Sequence, residues 1–300
     1  MKLAQIRLPS GELHAAVVEG DDVFDAAGPR AQRVHEYVAL AAAEGRPLPN
    51  VVADYASPAS RYSLEALACA TTPDSPSLGI PICPPEVWGC GVTYKRSAEF
   101  RDEDTQATAK GIYDYVYSAP RPEIFFKATA SRCVGPNEAI GARSDSTFTA
   151  PEPELALVLN RRGEIVGYTV ANDVSAWDIE RENPLYLPQS KIYRGCCALG
   201  PVVVTADEIG DGNNLLLTCR ILRRGGIAFA GQVSTSRIGR RFSELIHYLT
   251  LDNPIPDGTV VCTGTGVIVP PENALSEGDV VEIEIEKIGL LRNPVVRLGG

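Results

Sequence analysis

Residues 151–159, with the sequence PEPELALVL, combine two closely spaced carboxylates with an uninterrupted apolar run. Glu152 and Glu154 are two positions apart, so on an extended chain both side chains point to the same side. Pro153 favours the extended form through its fixed φ, and it also restrains the residue before it. The apolar residues that follow predict a strand that enters a core. The segment therefore predicts two parallel carboxylates at the mouth of a buried strand.

Two parallel carboxylates at this position indicate a cation site, because like charges at the edge of a core repel each other unless a cation lies between them. Oxygen-only ligands suit Mg²⁺, with Mn²⁺ or Ca²⁺ as alternatives, better than zinc. Asp173 ends the apolar run 167–172 and is a candidate third ligand. Its alternative role is to cap a turn or a helix over residues 174–180. Residues 282–286, EIEIE, alternate strictly and instead predict a solvated face above a buried one.

The rest of the chain is rich in short apolar or alternating runs that predict strands. Helical spacing is confined to a few segments: the predicted helices cover residues 34–43, 97–110 and 236–249, and residues 45–50, with Gly45, Pro47 and Pro49, break the first of them. The apolar run 260–269 predicts one of the buried strands. Residues 71–85 contain five prolines in fifteen positions, which neither a helix nor a central strand tolerates. We therefore predict an α+β, mostly β fold, with a small N-terminal domain over residues 1–80 and a catalytic domain over residues 81–300.

Composition narrows the class of partner and the compartment. The chain has 28 Lys and Arg against 38 Asp and Glu, a net charge of −10, which argues against nucleic acid or an anionic membrane as the main partner. No apolar stretch approaches the ~18 residues of a membrane span, and the N-terminus lacks the pattern of a signal peptide. The eight cysteines include no Cys-x-x-Cys pair, which favours free thiols in a reducing cytoplasm.

Six short motifs occur in order between residues 84 and 266. They are GVTY (91–94), IFFK (124–127), VGP (134–136), PEPELA (151–156), ANDVS (171–175) and TGTG (263–266). Together they resemble the fumarylacetoacetate hydrolase family. The resemblance implies a mixed β-sandwich or roll as the catalytic domain, and a homodimer or homotetramer. It also implies one Mg²⁺, Mn²⁺ or Ca²⁺ ion held by Glu152, Glu154 and Asp173, and a substrate-contacting lysine at Lys191, a residue that on its own would pass for a solvated surface charge.

The sequence departs from the hydrolases of this family at one position. Those enzymes place a histidine three residues after the motif tyrosine, Tyr94, whereas this chain has Ser97 there and its three histidines lie elsewhere. Without that general base, attack of water on a C–C bond loses its usual route. Residues 178–191, DIERENPLYLPQSK, instead resemble the branch of the family that dehydrates 2-keto-3-deoxy-pentonates to 2,5-dioxopentanoate. The resemblance thus implies a hydro-lyase that acts on a small 2-keto sugar acid.

Dehydration requires removal of a proton from C3 and departure of the C4 hydroxyl. Lys191 is the candidate to orient the keto acid or take the C3 proton, and Glu123 is the candidate partner acid or base, with an ordinary exposed glutamate as its alternative. Residues 97–110 are a candidate lid. The remaining candidates share a predicted contact with substrate: Tyr94, Arg96, Ser97, Lys127, Gln189 and Thr265.

Several alternatives remain open at this point. Lys127 can instead form a structural ion pair, and the TGTG motif can be a plain glycine turn. Within the family, an acylpyruvate or diketo-acid hydrolase and an oxaloacetate-type decarboxylase share the metal triad. A catalytically silent, metal-binding relative is the alternative outside enzymes.

Overall fold

The structure, a computed structural model, describes residues 1–57, 60–70, 72, 74–95 and 111–299. Arg96, Ser97 and the predicted lid over residues 97–110 lie outside these described residues. Within them, no helix has the length and apolar character needed to cross a membrane.

Strands make up most of the regular structure. Their bounds are β1 (Lys2–Arg7), β2 (Leu13–Glu19), β3 (Asp22–Asp25), β4 (Arg61–Ser63), β5 (Ser77–Leu78), β6 (Val87–Gly91), β7 (Glu123–Ala128), β8 (Cys133–Val134), β9 (Ile140–Ala142), β10 (Thr149–Ala150), β11 (Pro153–Leu159), β12 (Ile165–Asp173), β13 (Ser175–Ala176), β14 (Cys197–Thr205), β15 (Leu216–Arg223), β16 (Gly226–Ser234), β17 (Thr259–Cys262), β18 (Val280–Ile285) and β19 (Gly289–Arg297).

Helices are short and scattered between the strands. The α-helices are α1 (Val34–Glu44), α2 (Leu48–Tyr55), α3 (Leu64–Cys69), α4 (Ile112–Ser118), α5 (Trp177–Glu182), α6 (Leu187–Lys191), α7 (Ala206–Ile209) and α8 (Phe242–Thr250). Single 3₁₀ turns cover Ala130–Arg132, Pro184–Tyr186, Thr235–Arg237 and Pro271–Asn273. The predicted α+β, mostly β class is confirmed.

The strands form one large sheet, a five-stranded sheet and a two-stranded ribbon. The large sheet runs β4-β3-β2-β1-β14-β12-β11-β17-β6-β7, with β5 beside β1 and β8 beside β14. The five-stranded sheet runs β16-β15-β18-β19-β9, and the ribbon pairs β10 with β13. Most neighbours are antiparallel, and the pairs β17–β6, β14–β8 and β19–β9 are parallel. Strand β11 therefore lies inside the large sheet, between β12 and β17.

Strand β11 is buried on both faces, which explains why its sequence does not alternate. Leu155, Leu157 and Leu159 belong to the apolar core that includes the inner face of the five-stranded sheet. Ala156 and Val158 belong to a second core, on the face covered by α1 and α2. The prediction of a strand that enters a core is confirmed.

The N-terminal segment continues the same sheet, since β1 pairs antiparallel with β14 through Lys2↔Val204 and Leu3↔Val203. The predicted division of the chain near residue 80 stays a prediction. The solvated face predicted for residues 282–286 is present: Val281, Ile283 and Ile285 are each 1% exposed, and the glutamates between them face outward.

Three element boundaries differ from the sequence-based expectation. Helix α2 begins inside the proline-containing stretch 45–50, because Pro49 lies in its first turn, where a missing N–H costs nothing. Strand β17 ends at Cys262, before the TGTG motif, so the apolar run 260–269 is only partly strand. The helix expected over residues 236–249 is α8, which begins at Phe242, and Ile238 instead forms a β-bridge with Tyr94.

Candidate active site

Three carboxylates meet where β11 and β12 pair. Pro153 lies opposite Asn172, and the Asp173 amide donates to the carbonyl of Glu152 at 2.9 Å, so the two strand ends are in register. Glu152, Glu154 and Asp173 each offer a carboxylate oxygen, and these oxygens lie within 4.8 Å of one another. All three side chains are at most 2% exposed. The alternative role of Asp173 as a helix cap is not observed, because α5 begins only at Trp177.

Each carboxylate is held by a separate part of the chain. The indole Nε1 of Trp177 donates to Oε1 of Glu152 at 2.5 Å. The amide of Gly264 donates to Oε2 of Glu154 at 2.6 Å. The Lys127 ammonium lies 2.5 Å from Oδ1 of Asp173. The three oxygens are thus fixed before any ligand arrives.

The electrostatics of the triad fit a divalent cation. Burial raises the pKa of Glu154 well above its ordinary value, and the charges of Asp173 and Glu152 raise it further, against the opposing effect of the Gly264 amide and Lys191. A carboxylate in this environment is stabilised by a nearby positive charge. Three buried oxygen donors are the ligand type that Mg²⁺ takes in proteins. The donor set therefore suits Mg²⁺, with Mn²⁺ or Ca²⁺ as alternatives of the same ligand preference.

Lys191 extends its amino group into the triad. Its side chain is buried at the end of α6, and Nζ donates to Oε2 of Glu152 at 2.9 Å and to Oδ2 of Asp173 at 3.2 Å. A third bond, of 2.7 Å, reaches Oγ of Ser175. The ammonium also lies 5.3 Å from the ring centroid of Phe125, within cation–π range. Lys191 is therefore not a solvated surface charge.

Lys127 is fully buried and bonds to the protein on several sides. Its Nζ donates to the carbonyls of Val174 at 3.0 Å and Lys191 at 2.6 Å, in addition to its ion pair with Asp173. Burial alone would lower the pKa of Lys127, but the charge of Asp173, the neighbouring Cys196 and Cys197, and the hydrogen bond to Asp173 together outweigh burial and raise the pKa. These contacts are those of a structural ion pair, the alternative role that the sequence left open for Lys127.

Glu123 is the first residue of β7 and lies opposite Gly91 on β6. A Cβ on Gly91 would stand 2.0 Å from Oε2 of Glu123, so the glycine makes room for this carboxylate. Burial raises the pKa of the neighbouring Cys90 thiol, and the charges of Glu154 and Glu123 raise it further. Glu123 and Glu154 therefore both act electrostatically on the same buried thiol.

The TGTG motif is more than a turn. Gly264 has φ +96°, a conformation that only glycine adopts without strain, and a Cβ there would stand 2.0 Å from Oγ1 of Thr93. Thr93 in turn donates to the carbonyl of Thr263 at 2.7 Å. This arrangement directs the Gly264 amide at Glu154. Thr265 is 4% exposed and its hydroxyl donates to the carbonyl of Val267 at 3.4 Å.

Tyr94 borders a cavity of about 750 Å³ at the edge of the site, which Gln232, Arg237 and Gly266 also line. Its ring packs on Gly266, where a Cβ would approach Cδ1 to 2.5 Å. Burial, and then the charge of Glu154, raise the pKa of Tyr94. The cavity therefore adjoins Tyr94, a residue whose pKa is affected by the charge of Glu154.

Gln189 is exposed, and the structure shows its carbonyl, which accepts from Arg143 at 2.8 Å. Sequence reasoning missed Trp177, Ser175 and Thr93 as members of the site. The last two lie inside the quoted motifs ANDVS and GVTY, so the motifs carried a signal for them. Trp177 stands two residues after ANDVS, and only the start of α5 brings its indole to Glu152.

Comparison with known proteins agrees with this geometry. A 2-dehydro-3-deoxy-D-arabinonate dehydratase of Saccharolobus solfataricus is 55% identical over 217 residues, which cover 72% of this chain and 73% of that protein. A probable 2-keto-3-deoxyxylonate dehydratase of Haloferax volcanii is 45% identical over 245 residues, covering 79% and 84%. A solved structure of 2-keto-3-deoxy-D-arabinonate dehydratase complexed with magnesium and 2,5-dioxopentanoate superposes over 100% of both chains, with a TM-score of 0.86 and 40% identity.

A model of one protein family matches most of the chain. The fumarylacetoacetate (FAA) hydrolase C-terminal model matches residues 87–296, more than two thirds of the chain. This range holds all six motifs, the three carboxylates and both buried lysines. The chain belongs to the fumarylacetoacetate hydrolase family.

Proposed function

We propose that this protein catalyses the divalent-metal-dependent dehydration of 2-keto-3-deoxy-D-pentonate, the arabinonate or xylonate derivative, to 2,5-dioxopentanoate in pentose degradation. The observation that carries the proposal is the Lys191 amino group, which is buried within hydrogen-bond distance of two carboxylates of the triad. The similarity to dehydratases from two organisms, at 55% and 45% identity, gives independent support.

In this proposal Glu152, Glu154 and Asp173 hold Mg²⁺, with Mn²⁺ or Ca²⁺ as alternatives. The bound ion supplies Lewis-acid stabilisation to the carboxylate and keto oxygens of a 2-keto acid. Trp177 and the Gly264 amide keep the glutamate oxygens oriented. Because the site is buried, charges inside it interact more strongly than they would in water.

Lys191 and Glu123 are the proposed proton-transfer groups. Lys191, in its neutral amine form, takes the proton from C3, and Glu123, in its protonated form and either directly or through a water molecule, gives a proton to the C4 oxygen as the C4–O bond breaks. One water molecule leaves, and the remaining unsaturated 2-keto acid becomes 2,5-dioxopentanoate by proton shifts alone, with C5 as the aldehyde. The reaction needs no external oxidant or reductant.

The rest of the proposed site contacts the substrate. The cavity beside Tyr94 is large enough for the hydroxyl end of a five-carbon acid. Thr265 lies on the loop that positions Glu154. Gln189, together with Arg96 and Ser97 outside the described residues, completes the set predicted to contact the substrate, whereas Lys127 holds Asp173 through its ion pair.

The direct test is a coupled assay. Purified protein with Mg²⁺ is expected to convert 2-keto-3-deoxy-D-arabinonate to a semialdehyde that an NAD(P)⁺-dependent dehydrogenase detects. Glu152→Gln is expected to lose metal binding, and Lys191→Ala is expected to keep metal binding and lose turnover. Pyruvate release from acylpyruvates would instead identify a hydrolase, and CO₂ release from oxaloacetate a decarboxylase. Metal binding without turnover of any of these acids would indicate a non-catalytic relative.

The proposal extends to the state of the protein in the cell. We expect a cytoplasmic homodimer or homotetramer. The eight cysteines, all among the described residues, are free thiols, as expected for a reducing compartment. Light scattering coupled to gel filtration measures the oligomer, and a mass near 32.1 kDa would contradict an oligomeric state.

A further inference from the structure

Ser175 connects the amino group of Lys191 to the backbone of the carboxylate site. The side chain is completely buried. Its hydroxyl accepts from Nζ of Lys191 at 2.7 Å and donates to the carbonyl of Asp173 at 2.9 Å. A serine hydroxyl has one proton to donate. Because that proton is used on the Asp173 carbonyl, Ser175 presents only lone pairs to Lys191.

This contact differs from those that Lys191 makes with Glu152 and Asp173. It is shorter than either of them, and its acceptor carries no charge. The other two acceptors, Glu152 and Asp173, are proposed metal ligands, so a bound ion competes with Lys191 for their oxygens. The hydroxyl of Ser175 is the acceptor that does not change its partner when the ion binds.

The backbone around Ser175 is held firmly. In the ribbon of β10 and β13, Ser175 pairs with Ala150, which lies two residues before Glu152. The carbonyl of the preceding residue, Val174, accepts from Lys127 at 3.0 Å and from the hydroxyl of Tyr193 at 2.9 Å. The Ser175 oxygen therefore has a fixed position relative to both carboxylate-bearing strands.

We propose that Ser175 is a positioning residue that holds the amino group of Lys191 toward C3 of the bound 2-keto acid. The inference rests on the proposed function, in which Lys191 takes the C3 proton. The lysine side chain has four rotatable bonds, and misplacement of a proton-transfer group by about an ångström costs on the order of a hundredfold in rate. Ser175 supplies the uncharged contact that prevents this misplacement.

The test compares Ser175→Ala with Ser190→Ala. Ser190 is an equally buried serine next to Lys191 in the chain, but its hydroxyl donates to the carbonyl of Ala176 at 2.8 Å. We expect Ser175→Ala to lower kcat about ten- to a hundredfold, with KM changed less than about twofold. Ser190→Ala is expected to stay within about threefold of the wild-type kcat.

Two measurements separate positioning from a structural role. Mn²⁺ affinity of Ser175→Ala is expected to equal that of the wild type, and Ser175→Thr, which keeps the hydroxyl, is expected to recover much of the lost kcat. A fall in Mn²⁺ affinity or in Tm well beyond that of Ser190→Ala would make the serine structural and overturn the proposal. An inactive but fully stable Ser175→Thr would also overturn it.

A second assay does not depend on dehydration. Proton–deuterium exchange at C3 of 2-oxobutanoate, a 2-keto acid with no hydroxyl to lose, is followed by NMR in D₂O with Mg²⁺. We expect Ser175→Ala to slow this exchange as much as it slows turnover, and exchange at the wild-type rate would overturn the inference. If the wild type exchanges the proton but dehydrates no sugar acid, the proposed function fails while slower exchange in Ser175→Ala still supports the positioning of Lys191.

Discussion

Glu154 is a carboxylate whose protonation depends strongly on its surroundings in the site. Burial and the charges of Asp173 and Glu152 raise its pKa well above the ordinary value of 4.5. Without metal, the folded protein thus keeps a proton over a pH range in which the unfolded chain has already released it. The contribution of this group to stability is complete below about 4.5, the value in the unfolded chain, and is lost as pH rises from there through the raised pKa. An incoming cation must displace the same proton.

Metal affinity is therefore expected to rise with pH above about 4.5 and to level off once Glu154 is ionised. Calorimetric titration with Mn²⁺ between pH 5 and 8, in buffers of different ionisation enthalpy, measures both the affinity and the protons released. Gly225→Ala, in the turn between β15 and β16, leaves the three carboxylates and their contacts intact and is the control for the pH profile. A flat profile with no proton release would show that Glu154 is already ionised in the metal-free protein.

At the scale of single residues, the sequence predicted the positions of site residues that are close together on one strand. The i, i+2 spacing of Glu152 and Glu154 predicted their common direction, and the end of an apolar run pointed to Asp173. The contacts of Lys127 and Trp177 could not be predicted in the same way. They join residues 25 to 64 positions apart, and such distances are bridged only by the complete sheet.

At the scale of elements, the TGTG loop is the part of the site most sensitive to backbone change. Gly264→Ala is expected to weaken Mg²⁺ binding, because the new Cβ meets Thr93 and moves the amide that holds Glu154. Gly225→Ala is the matched control: Gly225 also has a positive φ, +80°, but a Cβ there meets nothing within 4 Å. The control costs about 1–2 kcal/mol of backbone strain. Equal Mg²⁺ affinity in both variants would contradict the assignment of this loop.

Element boundaries followed local chemistry more closely than hydrophobic periodicity. The sequence predicted helix α1 almost to the residue, because its apolar spacing ends at Gly45. It missed α2 because Pro47 and Pro49 are typical of a helix end, although a proline in the first helical turn is compatible with a helix. It made β17 too long because Val267 and Val269 are buried without being in a strand. Burial and strand formation are separate properties, and periodicity reports only the first.

At the scale of the whole molecule, the N-terminal segment and the catalytic segment share one core. Leu3, Val34 and Val38 belong to the same apolar cluster as Ala156 and Val158 of β11. We expect residues 1–300 to unfold in a single calorimetric transition, with equal calorimetric and van't Hoff enthalpies. Residues 81–300 expressed alone are expected to aggregate, because they expose that face of the sheet. Two resolved transitions, or a soluble and active fragment, would contradict this expectation and support two independent domains.

The two buried lysines beside the triad also affect the stability of the protein without its metal. Three carboxylates and two ammonium groups differ by a single charge, and the proton retained by Glu154 cancels it. With that proton the centre carries no net charge in the absence of metal, and we therefore expect the chain to fold without the ion and to keep its architecture when a chelator removes it. The cation then binds to a protein that is already folded. The ion of a zinc finger, in contrast, must be present for the chain to fold at all. In a cell short of metal, we expect the folded but inactive enzyme to accumulate and to become active when the ion is supplied.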